Sequence, residues 1–329
     1  MADNRVAYGL AKKYGIDTSG MSPKEAWEAL KKTGVLEDNI SDGAYDSKKD
    51  TPFKRAIPKT QKIDRPKDET KMHNYVLTDE DKKVVENIKN GKYYEIEDLK
   101  QLPIFYKMDE VAKQIRLDVG KDIGVPSGDT SKLRTTEREK QREQFLSDFI
   151  NGTGKANTRP NPLKKGFKMT IVVGLPASGK SSQIADPLSA EQGAFIFDSD
   201  EMKKTIPEYK NGANGGGVHK ESKMLLDRAQ EYFTKGSMRG INIVYPFIGD
   251  DSKKTMKKIQ PFIEAGYDVE IAYKKADTKE SMNRALMRAI TKNRPFEREV
   301  LEGYNNDKVV KAFNETLANG IKKSKYSEL

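Results

Sequence analysis

The sequence contains no cysteine, which excludes both a disulfide framework and a thiolate metal site. It has two histidines, His73 and His219, too few for a histidine-rich metal centre. No apolar run approaches the roughly 20 residues that a membrane-spanning helix needs. The start, Met1-Ala-Asp-Asn-Arg5, lacks the basic flank and apolar stretch of a secretory leader. These absences point to a cytoplasmic chain without a membrane partner. Hydrophobic residues are only 35% of the chain and charged residues 33%, so part of the 329 residues is expected to be extended or loosely packed.

What is present is a basic excess, with a formal net charge of +10. The lysines are scattered, and no dense basic block is interleaved with aromatics. A solvated surface and an anionic small molecule as partner therefore rank above nucleic acid. Residues 1–125 read as a mainly helical accessory region. Val6–Tyr14 and Ser22–Leu30 are helical stretches, with Ser22, Pro23 and Glu25 forming a helix start and Trp27 a small core. Residues 39–72 are poor in apolar groups and read as a polar linker. Further helices are expected from Thr78, over Met108–Leu117, and over Thr135–Ile150.

The segment Gly174-Leu175-Pro176-Ala177-Ser178-Gly179-Lys180-Ser181 matches G-x-x-x-x-G-K-[ST]. Met169–Val173 before it is an apolar β-branched run, and Ser181–Leu188 after it can begin a helix. Strand, glycine loop and helix together make a phosphate cradle, with backbone N–H groups and a helix N-terminus facing the anion. Residues 174–181 and Ser182 are thus the candidate ATP or GTP site. In this motif Lys180 reaches the β/γ-phosphates and the Ser181 hydroxyl binds Mg²⁺.

From residue 169 onward, expected strands at 169–173, 194–197, 241–245 and 269–273 alternate with expected helices at 180–187, 218–235, 252–265 and 278–290. Alternation of this kind predicts an α/β fold, a mostly parallel sheet flanked by helices that carries the P-loop and occupies 126–329, the arrangement that the resemblance given below makes P-loop kinase-like. Its ligands belong at the C-terminal edge of the strands. Asp198 and Asp200 follow the second strand, where a carboxylate can take the proton of an attacking hydroxyl; a helix cap is the competing reading for both. His219, Glu221 and Ser222 open a long helix behind the loop Asn211–Gly217, where the acid and the hydroxyl can also serve as capping groups. Arg284 and Arg288, four apart, share a helix face, and Arg294 follows in a short loop.

This ordered set resembles the zeta toxin family of kinases, which is similar in turn to chloramphenicol phosphotransferases and polynucleotide kinases. The resemblance covers about residues 160–300. It implies Asp200 as general base, Lys180 with Arg288 and Arg294 as the charge-neutralising groups, and Asp198, His219, Glu221, Ser222 and Arg284 at the acceptor. It further implies transfer of a nucleotide γ-phosphoryl to a sugar hydroxyl, as in UDP-N-acetylglucosamine, and a proteinaceous inhibitor, either within residues 1–125 or on another chain. Ile206-Pro207 stands where family members often have His-Pro, and the third strand ends in Tyr245-Pro-Phe-Ile-Gly-Asp250, which leaves the acceptor open. Two other readings stay open as well: a polynucleotide 5′-hydroxyl kinase, which usually has arginine where this chain has Lys203, and a nucleotide-binding module without catalysis.

Overall fold

The computed structural model describes residues 77–153, 155, 156, 158 and 162–328. The expected helices at 6–14 and 22–30, the Trp27 core, the linker at 39–72 and His73 lie outside the described residues. Those from Leu77 onward belong to one compact unit.

The sheet is built from β1 (Lys168–Val173), β2 (Phe195–Ile196), β3 (Ile243–Phe247), β4 (Asp268–Tyr273) and β5 (Lys322–Lys323). The order is β2-β3-β1-β4-β5 and every pairing is parallel. β1 lies at the centre because its run Met-Thr-Ile-Val-Val is buried throughout, as a strand covered on both faces must be. Ile171 pairs with Tyr245 on one side and Ile271 on the other. The third strand sits two residues later than its expected position at 241–245. Ile241 instead makes an antiparallel bridge to Lys165. Pro246 is tolerated in β3 because β2 pairs only as far as Val244, so one flank there has no ladder to lose.

Ahead of the sheet run α1 (Asp79–Lys89), α2 (Ile96–Gln101), α3 (Pro103–Asp122) and α4 (Thr136–Asn151). Thr78 and Asp81 form a capping box at the start of α1. Thr135 caps α4, and Gly152, in the left-handed region at φ 60°, ends it. Between and after the strands come α5 (Asp186–Gln192), α6 (Ser199–Lys203), α7 (His219–Thr234), α8 (Ser252–Glu264), α9 (Thr278–Thr291), α10 (Arg298–Glu302) and α11 (Asn306–Ala318). The last two helices and β5 were not expected from the sequence.

The main core lies between the sheet and α4, α7, α8 and α11. Edge-to-face rings at Phe149, Phe195, Phe197, Phe233, Phe262 and Tyr267 fill it. A second core joins Val84, Val85, Ile88, Leu99, Ile104, Phe105 and Met108 to Met282, Leu286, Ala289 and Ile290 of α9. The expected boundary at 125/126 thus falls inside one packed body. The apolar face of α9 needs a cover, and α1–α3 supply it.

Candidate active site

Residues 174–179 leave the end of β1 in a run of conformations that few side chains tolerate. Gly174 has φ 153°, and a Cβ there would lie 2.7 Å from the Lys274 carbonyl oxygen. Gly179 has φ 93°, and even Ala177 adopts a positive φ of 59°. The Ser178 hydroxyl is buried and has no hydrogen-bond partner among the described residues. Buried polar groups are nearly always satisfied, so this hydroxyl, aimed into a glycine-lined loop, fits a phosphate oxygen as its missing partner. Lys180–Ala185 then forms a π-helical turn that runs into α5. Pro187 has no N–H to return to the preceding turn, and the ladder widens there instead of closing normally.

The Lys180 ammonium folds back on its own loop, donating to the carbonyls of Gly174 at 2.8 Å and Leu175 at 2.7 Å. Burial pushes its pKa down to about 8, with Arg288 adding to the shift and Asp198 and Asp200 opposing it. Ser181 and Ser182 are exposed at the mouth of the loop. Ser181 offers one hydroxyl for Mg²⁺, a cation that takes most of its ligands from water and phosphates. No carboxylate–histidine cluster suited to holding a metal by itself occurs among the described residues.

Across from the loop, Asp198 caps α6, its Oδ1 accepting from the Asp200 N–H at 2.9 Å. Burial and the adjacent Asp200 raise the pKa of Asp198. Asp200 itself pairs with Lys203 at 2.9 Å, and its side chain remains 49% exposed. Lys203, then Arg288 and Arg294, hold its carboxyl far below the usual carboxylate range. Lys180, Asp198, Asp200, Arg288 and Arg294 thus share one electrostatic neighbourhood. Tyr209 and Tyr304 belong to it too, both raised by burial and both within the fields of Asp200 and Arg288. Tyr304 has no signal in the sequence, being one tyrosine of fourteen in a segment without a motif.

His219 is exposed at the start of α7. The protein around its ring, then Lys203 and Lys223, push its pKa down to about 4. Lys258 of α8 completes this basic rim. Its ammonium lies 4.3 Å from the centre of the Phe247 ring and 5.7 Å from that of Tyr245, at the end of β3.

Three of the expected acceptor residues are placed otherwise. Arg284 turns to Glu280, one helical turn back, at 2.6 Å. Ser222 is fully buried, and its hydroxyl donates to the His219 carbonyl inside α7. Glu221 is fully buried as well, and its carboxylate is taken by two guanidinium groups from α4. Arg138 donates to it at 2.6 and 2.9 Å and Arg142 at 2.7 Å. Arg138 also reaches both oxygens of Glu208, next to Tyr209. Glu221 and Ser222 therefore line no open pocket: α4 packs on the start of α7 and closes it off.

The loop 211–217 is held down. Gly212 (φ 115°) lets the Arg294 side chain cross it, with Cγ 2.7 Å from where a Cβ would stand. The Gly217 carbonyl accepts from the Thr130 N–H at 3.1 Å.

Solved structures similar to this chain include the PezAT chromosomal toxin–antitoxin system of Streptococcus pneumoniae. It is 14% identical, over 58% of this chain and 77% of that one, with a TM-score of 0.44. The complex of AvrRxo1-ORF1 with AvrRxo1-ORF2 is 20% identical, over 45% and 49%, with a TM-score of 0.32. The same complex with ATP gives 20%, 45%, 48% and 0.31. No curated protein matches the chain. The family model described as zeta toxin matches residues 154–324, more than half of the chain, a span that holds the glycine loop, Asp200, Arg288 and Arg294; the chain belongs to the zeta toxin family.

Proposed function

We propose that this protein is an ATP- or GTP-dependent kinase that phosphorylates a hydroxyl of a sugar nucleotide, UDP-N-acetylglucosamine being the acceptor that the family resemblance suggests. One observation carries this reading: Asp200 pairs with Lys203 at 2.9 Å, within the fields of Arg288 and Arg294 and opposite the lysine of a glycine loop.

In the reaction the acceptor oxygen attacks the γ-phosphorus while its proton passes to the Asp200 carboxylate. The bond to the bridging oxygen breaks and the nucleoside diphosphate leaves. A transition state of this kind spreads charge over the transferred group, so catalysis is mostly positioning and electrostatics. Lys180 exchanges its two loop carbonyls for phosphate oxygens. Arg288 and Arg294 neutralise the moving charge. Bound Mg²⁺ would supply further neutralisation, with Ser181 as its protein ligand. The rim of Lys203, Lys223 and Lys258 around the neutral His219 supports an anionic acceptor. A role as a bacterial toxin, a protein inhibitor and a cytoplasmic place of action belong to the same reading.

The test is transfer of labelled γ-phosphate from ATP and from GTP to UDP-N-acetylglucosamine, with a 5′-hydroxyl oligonucleotide in parallel. The reading expects labelled sugar nucleotide and none with Asp200→Asn. Label only on the oligonucleotide would make the protein a polynucleotide kinase. Nucleotide binding with no transfer to either acceptor would leave a binding module.

A further inference from the structure

The segment that carries Arg288 and Arg294 is gripped along its length by α1–α3, a region preceding the family match. Upstream of Arg294 the grip is a core face plus one reciprocal pair: the Tyr94 N–H donates to Asn283 Oδ1 at 3.0 Å, and Asn283 Nδ2 donates to the Tyr94 carbonyl at 2.9 Å. Downstream it is three contacts within five residues. Phe296 packs on Phe105, ring centres 5.2 Å apart. Arg116 donates to Glu297 at 2.7 Å and, through Nε, to the Ser127 carbonyl at 2.9 Å. The Arg298 N–H donates to Asp109 at 2.8 Å. Glu297, which precedes α10, makes no capping bond of its own, so Asp109 caps that helix from α3.

Asp109 and Arg116 are seven apart and so lie on one face of α3, two turns from each other. Together they hold the Glu297 side chain and the Arg298 backbone N–H, on consecutive residues of the strap. The same carboxylate oxygen presses on the loop 211–217: a Cβ at Gly216 would stand 2.6 Å from Glu297 Oε1 and 4.0 Å from the Arg116 guanidinium. Arg294 is thus the free arm of a strap fastened three and four residues further on.

From this geometry we infer that Asp109 and Arg116 are positioning residues for Arg294, and that α1–α3 are a working part of the catalytic unit. The inference rests on the kinase reading above for its effect on rate, but its structural half does not. Arg116 touches no reacting atom. Its consequence is the placement of a guanidinium, and a 1 Å error in placement costs as much as ~10²-fold in rate.

The test uses the full chain with Arg116→Ala, Arg116→Lys, Arg294→Ala and the double variant Arg116→Ala/Arg294→Ala. Phosphoryl transfer to UDP-N-acetylglucosamine and hydrogen exchange of residues 292–304 are measured on each. Arg116→Ala is expected to lower kcat by ~10-fold or more with the KM for ATP within about threefold, and Arg116→Lys to recover part of the loss. In the Arg294→Ala background the same change is expected to cost little further, because the arm it positions is already gone. Exchange of 292–304 is expected to rise in Arg116→Ala while β1 stays protected. An undiminished penalty in the Arg294→Ala background, or exchange of 292–304 equal to the wild type, overturns the inference. If the wild-type protein transfers no phosphate at all, the kinase reading fails by itself, and the exchange experiment still decides whether the strap depends on Arg116.

Discussion

Nucleotide affinity should fall as the pH rises from 7 to 9, and Lys180 sets the size of the fall. Its ammonium is enclosed by protein and, among the described residues, donates to two neutral carbonyls, which leaves its pKa at about 8. A triphosphate binds the charged form. With a pKa of about 8, the lysine is about nine-tenths protonated at pH 7 and about one-tenth at pH 9. The apparent dissociation constant should therefore rise about tenfold over that range, equivalent to about 1.4 kcal/mol. A lysine at its ordinary value would stay about 97% charged at pH 9 and give almost no slope. The sign follows from linkage: binding raises the pKa of the lysine, so nucleotide uptake carries a proton in with it, about half a proton at pH 8 and more as the pH rises towards 9. Calorimetry with a non-hydrolysable ATP analogue, in two buffers of different ionisation enthalpy, reads both the affinity and the proton. Lys180→Arg is the control, since guanidinium stays charged throughout. Asp198 also titrates, but it is common to both proteins, so the difference between them isolates the lysine. Wild type and Lys180→Arg weakening in parallel with pH, or no net proton uptake at pH 8, would refute the reasoning.

Other outcomes are equally specific. Lys180→Ala and Asp200→Ala should each abolish phosphoryl transfer while the far-ultraviolet circular dichroism and the unfolding midpoint remain near wild type. Glu221→Gln should cost about 1.5–3 kcal/mol in denaturant unfolding, because Arg138 and Arg142 lose their charge-assisted bonds to a fully buried carboxylate while Arg138 keeps Glu208 and Arg142 keeps Glu139. Lys258→Met should keep the packing over Phe247 and raise the KM for an anionic acceptor several-fold without altering that for ATP; an unchanged acceptor KM would remove Lys258 from the acceptor rim. Gly212→Val should strain a backbone held at φ 115° and displace Arg294, reducing kcat by at least ~10-fold.

The glycine loop was legible in the sequence because its conformations are. A backbone at φ 153° and 93° against neighbouring carbonyls and side chains leaves little besides glycine at Gly174 and Gly179. The strands were legible for the same kind of local reason, as buried apolar runs. Residues whose fate is decided by distant partners were not. Glu221 reads as an acid at a helix start, and nothing near it announces that Arg138 and Arg142, some eighty positions earlier, consume it. Their spacing of four on one helix was a signal without an address. Arg284 and Arg288 are alike on a helical wheel; only Glu280, one turn before Arg284, separates them. The role of α1–α3 was invisible because it depends on which helix needs covering, and α9 shows that only once folded.

The sheet order has a consequence for biosynthesis. The strand that leads into the nucleotide loop sits between neighbours that follow it by about seventy and one hundred residues. A ribosome that has made residues 1–240 has produced the loop but neither flank of its supporting strand, and Arg288 and Arg294 come later still. Pairings of such long range form slowly and late. The nascent chain therefore holds an unsupported nucleotide loop until residues 243–273 have been made, and on the kinase reading phosphoryl transfer waits further for Arg288 and Arg294.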